Sequence, residues 1–261
     1  MSENALLQEL TPKGVLHLTM NRPEIHNAFD DHQVVRLIAA LEDAATNPNV
    51  KVVVLASNGK SFSAGGDINY MRRMGSNTYE ENLADGGQLA KLMHTLNFLP
   101  KPTIARVQGA AMGGGVGLVC CCDIAIGTTK ARLALSEIKI GMLPATISPY
   151  VVRTIGEKAA RRLFMTGEMV DAQWAQALGF LSEVVDTDEQ LDAKIEEIAD
   201  TLLKNAPRGL AKAKQLVFDV AQGDVDETMV QYTIKFIADV RDSHEGREGL
   251  SAFLEKRAPN W

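Results

Sequence analysis

Along the first half of the chain, short unbroken apolar runs alternate with longer stretches whose apolar residues recur every three or four positions. Residues 14–21 ("GVLHLTMN") alternate in polarity and are rich in β-formers, which predicts a strand. Residues 50–57 ("VKVVVLAS"), 102–109 ("PTIARVQG") and 123–128 ("DIAIGT") are near-continuous apolar runs, as in strands buried on both faces. Between them, residues 27–47 and 78–98 carry apolar positions at helical spacing, closed by Pro48 and Pro100. Residues 59–67 ("GKSFSAGGD") have the chemistry of a loop. Strand–helix alternation predicts an α/β core with a mostly parallel sheet. From about Ile147 onward helical periods dominate, at 190–205, 208–223 and 226–242, with one short β-like stretch at 182–186. The expected organisation is an α/β core over residues 1–200 and a helical C-terminal module over 201–261.

Composition changes this picture little. The chain has 261 residues, 46% hydrophobic and 23% charged, with a net charge of −6. That length supports a large buried core. No basic patch is concentrated anywhere, so nucleic acid is not an expected partner. No window approaches the ~20 apolar residues that span a bilayer, and the N-terminus has no basic, then apolar, leader pattern. The three cysteines are consecutive, Cys120 to Cys122. Adjacent cysteines bridge poorly and an odd count leaves one over. They read as small apolar residues in a reducing, cytoplasmic setting.

The chemistry of interest lies in "GAAMGGGVGLVCCCD" (109–123), a glycine cluster opening an apolar run with no charged residue before Asp123. It is not a P-loop: Gly59-Lys60-Ser61 has Val54 where the first glycine belongs. A dinucleotide fingerprint fails at Leu118 and at Cys120. G-x-S-x-G and H-E-x-x-H are absent, and the five histidines are scattered, so no metal site is expected. What remains is a role for the backbone. Glycines allow close approach of a ligand to the main chain. A helix starting after Gly113 would present free N–H groups and the positive end of its dipole. "FSAGGD" (62–67) has the same character. Two such loops can each give one N–H to a single oxygen, or both can be ordinary tight turns.

Taken together, "SFSAGGDINYM" (61–71), "KPTIARVQGAAMGGGVGLVCCCDIAI" (101–126), "NRPEIHNAF" (21–29), "ALSEIKIGMLP" (134–144), "TGEMVDAQWAQALGFLSEVV" (166–185) and "EGREGLSAFLEKRAPNW" (245–261) resemble the crotonase (enoyl-CoA hydratase/isomerase) superfamily in order and over nearly the whole chain. The resemblance implies a crotonase-like ββα spiral core with a C-terminal helical trimerisation module, assembling as a trimer or a hexamer of two trimers. It implies an acyl-CoA thioester substrate, with coenzyme A carried by the substrate and no other cofactor. It places the thioester oxygen between the backbone N–H groups of Gly66 and Gly114. For coenzyme A it points to the backbone around Glu24 to His26, at Ala64 and at Asp67 and Ile68, and to Phe253 and Lys256 from a neighbouring subunit.

Family hydratases generally use two glutamates. The second is present as Glu137; the position of the first is Gly117. One carboxylate can shift a double bond, as in enoyl-CoA isomerases. It can also activate water and return the proton to Cα on the same face. A third alternative is thioester or RNA binding without turnover. "PATISPYV" (144–151) and its surroundings resemble bacterial 3-methylglutaconyl-CoA and isohexenylglutaconyl-CoA hydratases, which favours hydration. Such a substrate carries a second carboxylate. Arg72 and Arg73 are candidates to meet it, unless they are a solvated helix face or contact the coenzyme A phosphates. Thr146, Ser148 and Tyr150 are candidates to hold water in place of the missing acid. A glutamate in the apolar stretch around position 137 should have a raised pKa where buried.

Overall fold

The computed structural model describes residues 4–221 and 223–261. Ten strands form two sheets. The larger runs in the order β1 (Leu6–Leu10), β2 (Val15–Met20), β3 (Val52–Ser57), β5 (Thr103–Val107), β7 (Ile124–Thr128), β10 (Glu183–Val185). Only the β1–β2 pair is antiparallel. The smaller sheet runs β4 (Ser61–Ser63), β6 (Ala110–Met112), β8 (Arg132–Ala134), β9 (Met169–Asp171). Its first three strands are parallel and β9 is antiparallel to β8.

Among the described residues ten helices complete the fold: α1 (Asp31–Thr46), α2 (Ile68–Met74), α3 (Tyr79–Asn97), α4 (Gly114–Cys121), α5 (Ser148–Thr166), α6 (Ala172–Leu178), α7 (Asp188–Leu203), α8 (Pro207–Val220), α9 (Glu227–Asp242) and α10 (His244–Glu255). Two 3₁₀ turns cover Pro23–Ile25 and Ser136–Ile140. The sheet is covered on both faces, and every residue of β3 is buried. Each fully buried Val or Leu contributes about 1.5–3 kcal/mol by leaving water. One face packs Leu18, Leu55 and Ala105 against Leu37, Leu41, Leu92 and Leu96 of α1 and α3. The other packs Val52, Val54, Ile104 and Ile126 against Leu191, Ile195 and Ala199 of α7.

The apolar runs at 14–21, 50–57, 102–109 and 123–128 are strands as expected. Three readings change. The helix expected from residue 27 begins at Asp31. His26 and Asn27 lie in the left-handed region, with φ of 54° and 53°, and the Asp30 side chain caps the helix by accepting from the Gln33 N–H. The stretch 59–67 contains a strand, β4, as well as turns. The antiparallel edge strand β1 lies in a segment without alternation. Residue 222, within the expected helix 208–223, lies outside the described residues; α8 ends at Val220. Position 200 falls inside α7, which packs on the sheet. Beyond it, α8 and α9 bury no residue fully and α10 buries only Ala252.

Candidate active site

The three-residue strands of the smaller sheet position the site. In parallel pairing, Ser61 and Ser63 oppose Ala110 and Ala111, and Met112 opposes Ala134. All three chains therefore leave the sheet at the same edge, the edge where parallel sheets commonly hold ligands. Residues 64–66, 113–114 and 135–137 emerge side by side. The Gly113 N–H donates to the Ala134 carbonyl at 2.9 Å, which extends the β6–β8 ladder by one residue. Gly113 then turns with φ 50° and ψ −118° into α4, whose first residue is Gly114. Only glycine adopts that backbone without strain.

The two glycine loops abut. A Cβ on Gly65 would stand 2.9 Å from the Met112 carbonyl oxygen and 3.9 Å from the Gly113 Cα. Phe29 links them. Its backbone forms a parallel bridge with Gly66: the Phe29 N–H donates to the Gly65 carbonyl at 2.8 Å, and the Asp67 N–H donates to the Phe29 carbonyl at 3.0 Å. Its ring packs on Gly114, so close that a Cβ there would lie 2.4 Å from Phe29 Cζ. The bridge turns the Gly66 N–H away from Phe29. Neither that N–H nor the Gly114 N–H at the start of α4 donates to a backbone carbonyl among the described residues.

Glu137 sits in the 3₁₀ turn Ser136–Ile140 that follows β8. Its carboxyl lies over the glycine turn, with Oε1 2.9 Å from the position of a Gly113 Cβ. Oε2 is buried and has no hydrogen-bond partner among the described residues. Burial raises the Glu137 pKa above the ordinary glutamate value, against a smaller opposing effect of its own backbone N–H. A carboxyl that is costly to ionise and has an unpaired oxygen is suited to exchanging a proton with a ligand.

The position of the missing acid is closed. A Cβ on Gly117 would meet Ile147 Cγ2 at 2.4 Å, Ile147 Cβ at 2.9 Å and Met93 Sδ at 3.1 Å. Gly117 lies four residues, about one helical turn, after the N-cap Gly113, so an apolar wall stands below the glycine turn that Glu137 covers. Among the proposed water-holding hydroxyls, Ser148 donates to the Ala145 carbonyl at 2.8 Å. Thr146 and Tyr150 are half-buried. Cys120 and Cys121 end α4 and Cys122 caps it in an extended conformation, with Cys121 buried and the other two half-buried; burial pushes the Cys120 thiol up to about 12, and the thiols of Cys121 and Cys122 also rise.

A chain with a parallel glycine edge, a glutamate with one buried, partnerless oxygen and this order of elements has clear counterparts. A family model described as enoyl-CoA hydratase/isomerase matches residues 11–261. The chain belongs to the enoyl-CoA hydratase/isomerase family. It is 44% identical to an enoyl-CoA hydratase of Shewanella pealeana whose solved structure superposes with a TM-score of 0.95, covering 98% of this chain and 96% of that one. A solved Legionella pneumophila protein assigned to the enoyl-CoA hydratase/isomerase (crotonase) class is 48% identical, with a TM-score of 0.94 and full coverage of both chains. The 2,3-dehydroadipyl-CoA hydratase of Escherichia coli is 33% identical over 252 residues, 95% of this chain and 94% of that protein. Relatives so named are hydro-lyases.

The other expected ligand residues are spread around this edge. Ala64 is exposed and its N–H donates to the His26 carbonyl at 2.9 Å, joining two of the candidate segments. His26 Nδ1 lies 3.1 Å from Ser61 Oγ. Asp67 caps α2 by accepting from the Asn69 and Tyr70 N–H groups, and Ile68 is exposed beside it. Glu24 is exposed on the 3₁₀ turn Pro23–Ile25. Arg73 is occupied: it pairs with Asp31 at 2.9 Å and lies 5.6 Å over the Tyr70 ring. Among the described residues, Arg72 bonds only to Asn69, at 3.2 Å. Phe253 is 79% exposed on α10, and Lys256 caps that helix in the left-handed conformation, far along the chain from the glycine edge. Phe29 and Ile147 escaped the sequence reading, because their roles come from contacts across 85 and 30 residues that no local pattern announces. Among the described residues, no cluster of His, Cys, Asp or Glu could hold a metal ion, and no helix is long and apolar enough to cross a membrane.

Proposed function

We propose that the protein is an enoyl-CoA hydratase acting on a branched, dicarboxylic trans-2-enoyl-CoA, with 3-methylglutaconyl-CoA as the first candidate. The observation that carries this reading is the partnerless Glu137 oxygen beside two glycine N–H groups without backbone acceptors. In this reading the thioester oxygen accepts hydrogen bonds from Gly66 and Gly114. Glu137 takes a proton from water as the hydroxide oxygen bonds to Cβ. The C=C electron pair moves onto the thioester oxygen as an enolate, which the two N–H groups and the α4 dipole stabilise. The enolate then collapses, and Cα takes the proton from Glu137, which ends as the carboxylate. One group serves both steps because both occur on one face.

A dicarboxylic substrate is supported by the relative named for 2,3-dehydroadipyl-CoA, and by Arg72, whose guanidinium is less engaged than that of Arg73. Exposed apolar residues on the last three helices, among them Val217, Ile234, Ile237, Leu250 and Leu254, support assembly through the C-terminal module over 201–261 as a trimer or hexamer, with Phe253 and Lys256 serving a neighbour's coenzyme A. The cysteines are unpaired, Cys121 buried and Cys120 and Cys122 half-buried, which fits a reducing cytoplasm.

A second reading is enoyl-CoA isomerisation by Glu137 alone, favoured by the sealed position at Gly117. Incubation with 3-methylglutaconyl-CoA, crotonyl-CoA and a 3-enoyl-CoA separates the two. A product heavier by one water supports hydration. Unchanged mass with a moved double bond replaces it with isomerisation, and no change in any substrate rejects both.

A further inference from the structure

Gly66 has no side chain to anchor it, yet its N–H must hold a direction to within a few tenths of an ångström to serve a developing negative charge. What fixes it is the Phe29 bridge, and the two strands of that bridge run directly into helix caps. Phe29 is followed by Asp30, which caps α1; Gly66 is followed by Asp67, which caps α2. Each aspartate spends Oδ1 on its own helix, at 2.8 Å to the Gln33 N–H and at 2.8 and 3.1 Å to the Asn69 and Tyr70 N–H groups. Each has Oδ2 left over, and both turn to one side chain. Arg22 Nη1 donates to Asp30 Oδ2 at 2.8 Å and reaches the Ala28 carbonyl at 3.4 Å, while Nη2 lies 3.5 Å from Asp67 Oδ2. The three side chains are 22%, 18% and 12% exposed, so the pairing is only weakly screened. The Arg22 backbone is itself pinned: its N–H donates to Asn27 Oδ1 at 2.9 Å, and its carbonyl accepts from the Asn27 N–H at 2.9 Å.

We propose that Arg22 is a positioning residue for the oxyanion site, a clamp that holds the two capping aspartates at a fixed separation and thereby aims the Gly66 N–H. This rests on the reading of Gly66 as a thioester donor. A planar fork spans two carboxylates; an ammonium is a single point and cannot hold both in the same geometry. Arg22 touches neither thioester nor Glu137, so its loss acts on the charge-developing step and leaves ground-state binding of coenzyme A near its original strength.

The test uses the full-length protein and the variants Arg22→Gln, Arg22→Lys, Asp67→Asn and the Arg22→Gln/Asp67→Asn pair. Asp67→Asn retains the Oδ1 cap and removes only the charge facing Arg22, so it carries the test where Arg22→Gln fails to fold. Two readouts are needed: kcat and KM for turnover of an enoyl-CoA, and the infrared carbonyl stretch of bound 13C-labelled hexanoyl-CoA, which cannot react. The bound carbonyl should absorb at lower frequency than the free one in the wild type, and part of that shift should vanish in each single variant. kcat should fall about 10–100-fold, less than the 10²–10³-fold of losing a donor outright, with KM within about twofold. The double variant should be no worse than the poorer single, and Arg22→Lys should not rescue. Wild-type kcat and carbonyl frequency in Arg22→Gln or Asp67→Asn would overturn the proposal. So would full rescue by lysine, or a rise in KM at unchanged carbonyl frequency. Absence of any shift in the wild type would instead remove the oxyanion reading of Gly66, and the proposal with it.

Discussion

The closed position at Gly117 gives a sharp quantitative prediction. Replacing Gly117 by Ala sets a methyl carbon 2.4 Å from Ile147 Cγ2 and 3.1 Å from Met93 Sδ, well inside the ~3.5–4.0 Å of an ordinary carbon contact. Ile147 is 1% exposed and packed in the main core, so it has little room to retreat. Overpacking of this kind costs about 1–3 kcal/mol, offset by up to ~1 kcal/mol from alanine's helix propensity over glycine. Ile147→Ala alone opens a cavity and costs about 2–5 kcal/mol. In the double variant the new methyl occupies the vacated space, so its cost should lie at or below that of Ile147→Ala. The coupling should be about 1–3 kcal/mol, with the sign of mutual rescue. The assay is chemical denaturation of the four proteins at one protomer concentration, since assembly would otherwise shift apparent stability. A cycle that closes additively within ~0.5 kcal/mol would refute the claim that Ile147 fills this site. The same contacts explain why restoring a glutamate at 117 alone should not restore a second acid: the pair Gly117→Glu/Ile147→Ala is the minimum change.

The two glycines proposed as oxyanion donors should respond differently to the same substitution. At Gly114 an added Cβ meets Phe29 Cζ at 2.4 Å and pushes on the residue that links both loops, so Gly114→Ala should lower kcat about 10²–10³-fold; at Gly66 it meets Met71 at 3.5 Å, ordinary contact, and Gly66→Ala should melt within a few degrees of wild type. Turnover should rise with pH through an ionisation above the usual glutamate range, because burial raises the Glu137 pKa and the carboxylate is the form that accepts a proton. The stability sign is the reverse of that for a salt-bridged acid. The folded state holds this proton more tightly than the unfolded, so the contribution is complete below the unfolded pKa and is lost as pH rises through the folded one. Glu137→Gln should flatten that part of the stability profile. Cys120, Cys121 and Cys122 should resist a thiol reagent at neutral pH in the folded protein and react once it is denatured, since burial raises all three pKa values.

The larger sheet was legible because its central strands are unbroken apolar runs, the signature of burial on both faces. The C-terminal helices were legible from their spacing. The smaller sheet was not. Strands of three residues such as Ser61–Ser63 and Ala110–Met112 are too short to show a period, and their pairing is fixed by partners 20 to 50 residues away. The glycines and Glu137 were legible as a family resemblance, and their composition alone allowed ordinary turns and a surface acid. What brings them together is the shared edge of three short parallel strands, which is a tertiary fact. Arg22, Phe29 and Ile147 belong to the same class: each acts through a contact that exists only once distant segments have met. The helix boundary at 27 was misread for a local reason, since the left-handed turn at His26–Asn27 uses residues that tolerate it without glycine.

The central claim is that one buried carboxyl moves the proton at this site. Its most direct test is Glu137→Gln, assayed for turnover of the enoyl-CoA and for binding of a saturated acyl-CoA in the same preparation. Turnover should fall by about 10²–10⁴-fold while the dissociation constant stays within a few-fold. Wild-type turnover in the glutamine variant would contradict the account.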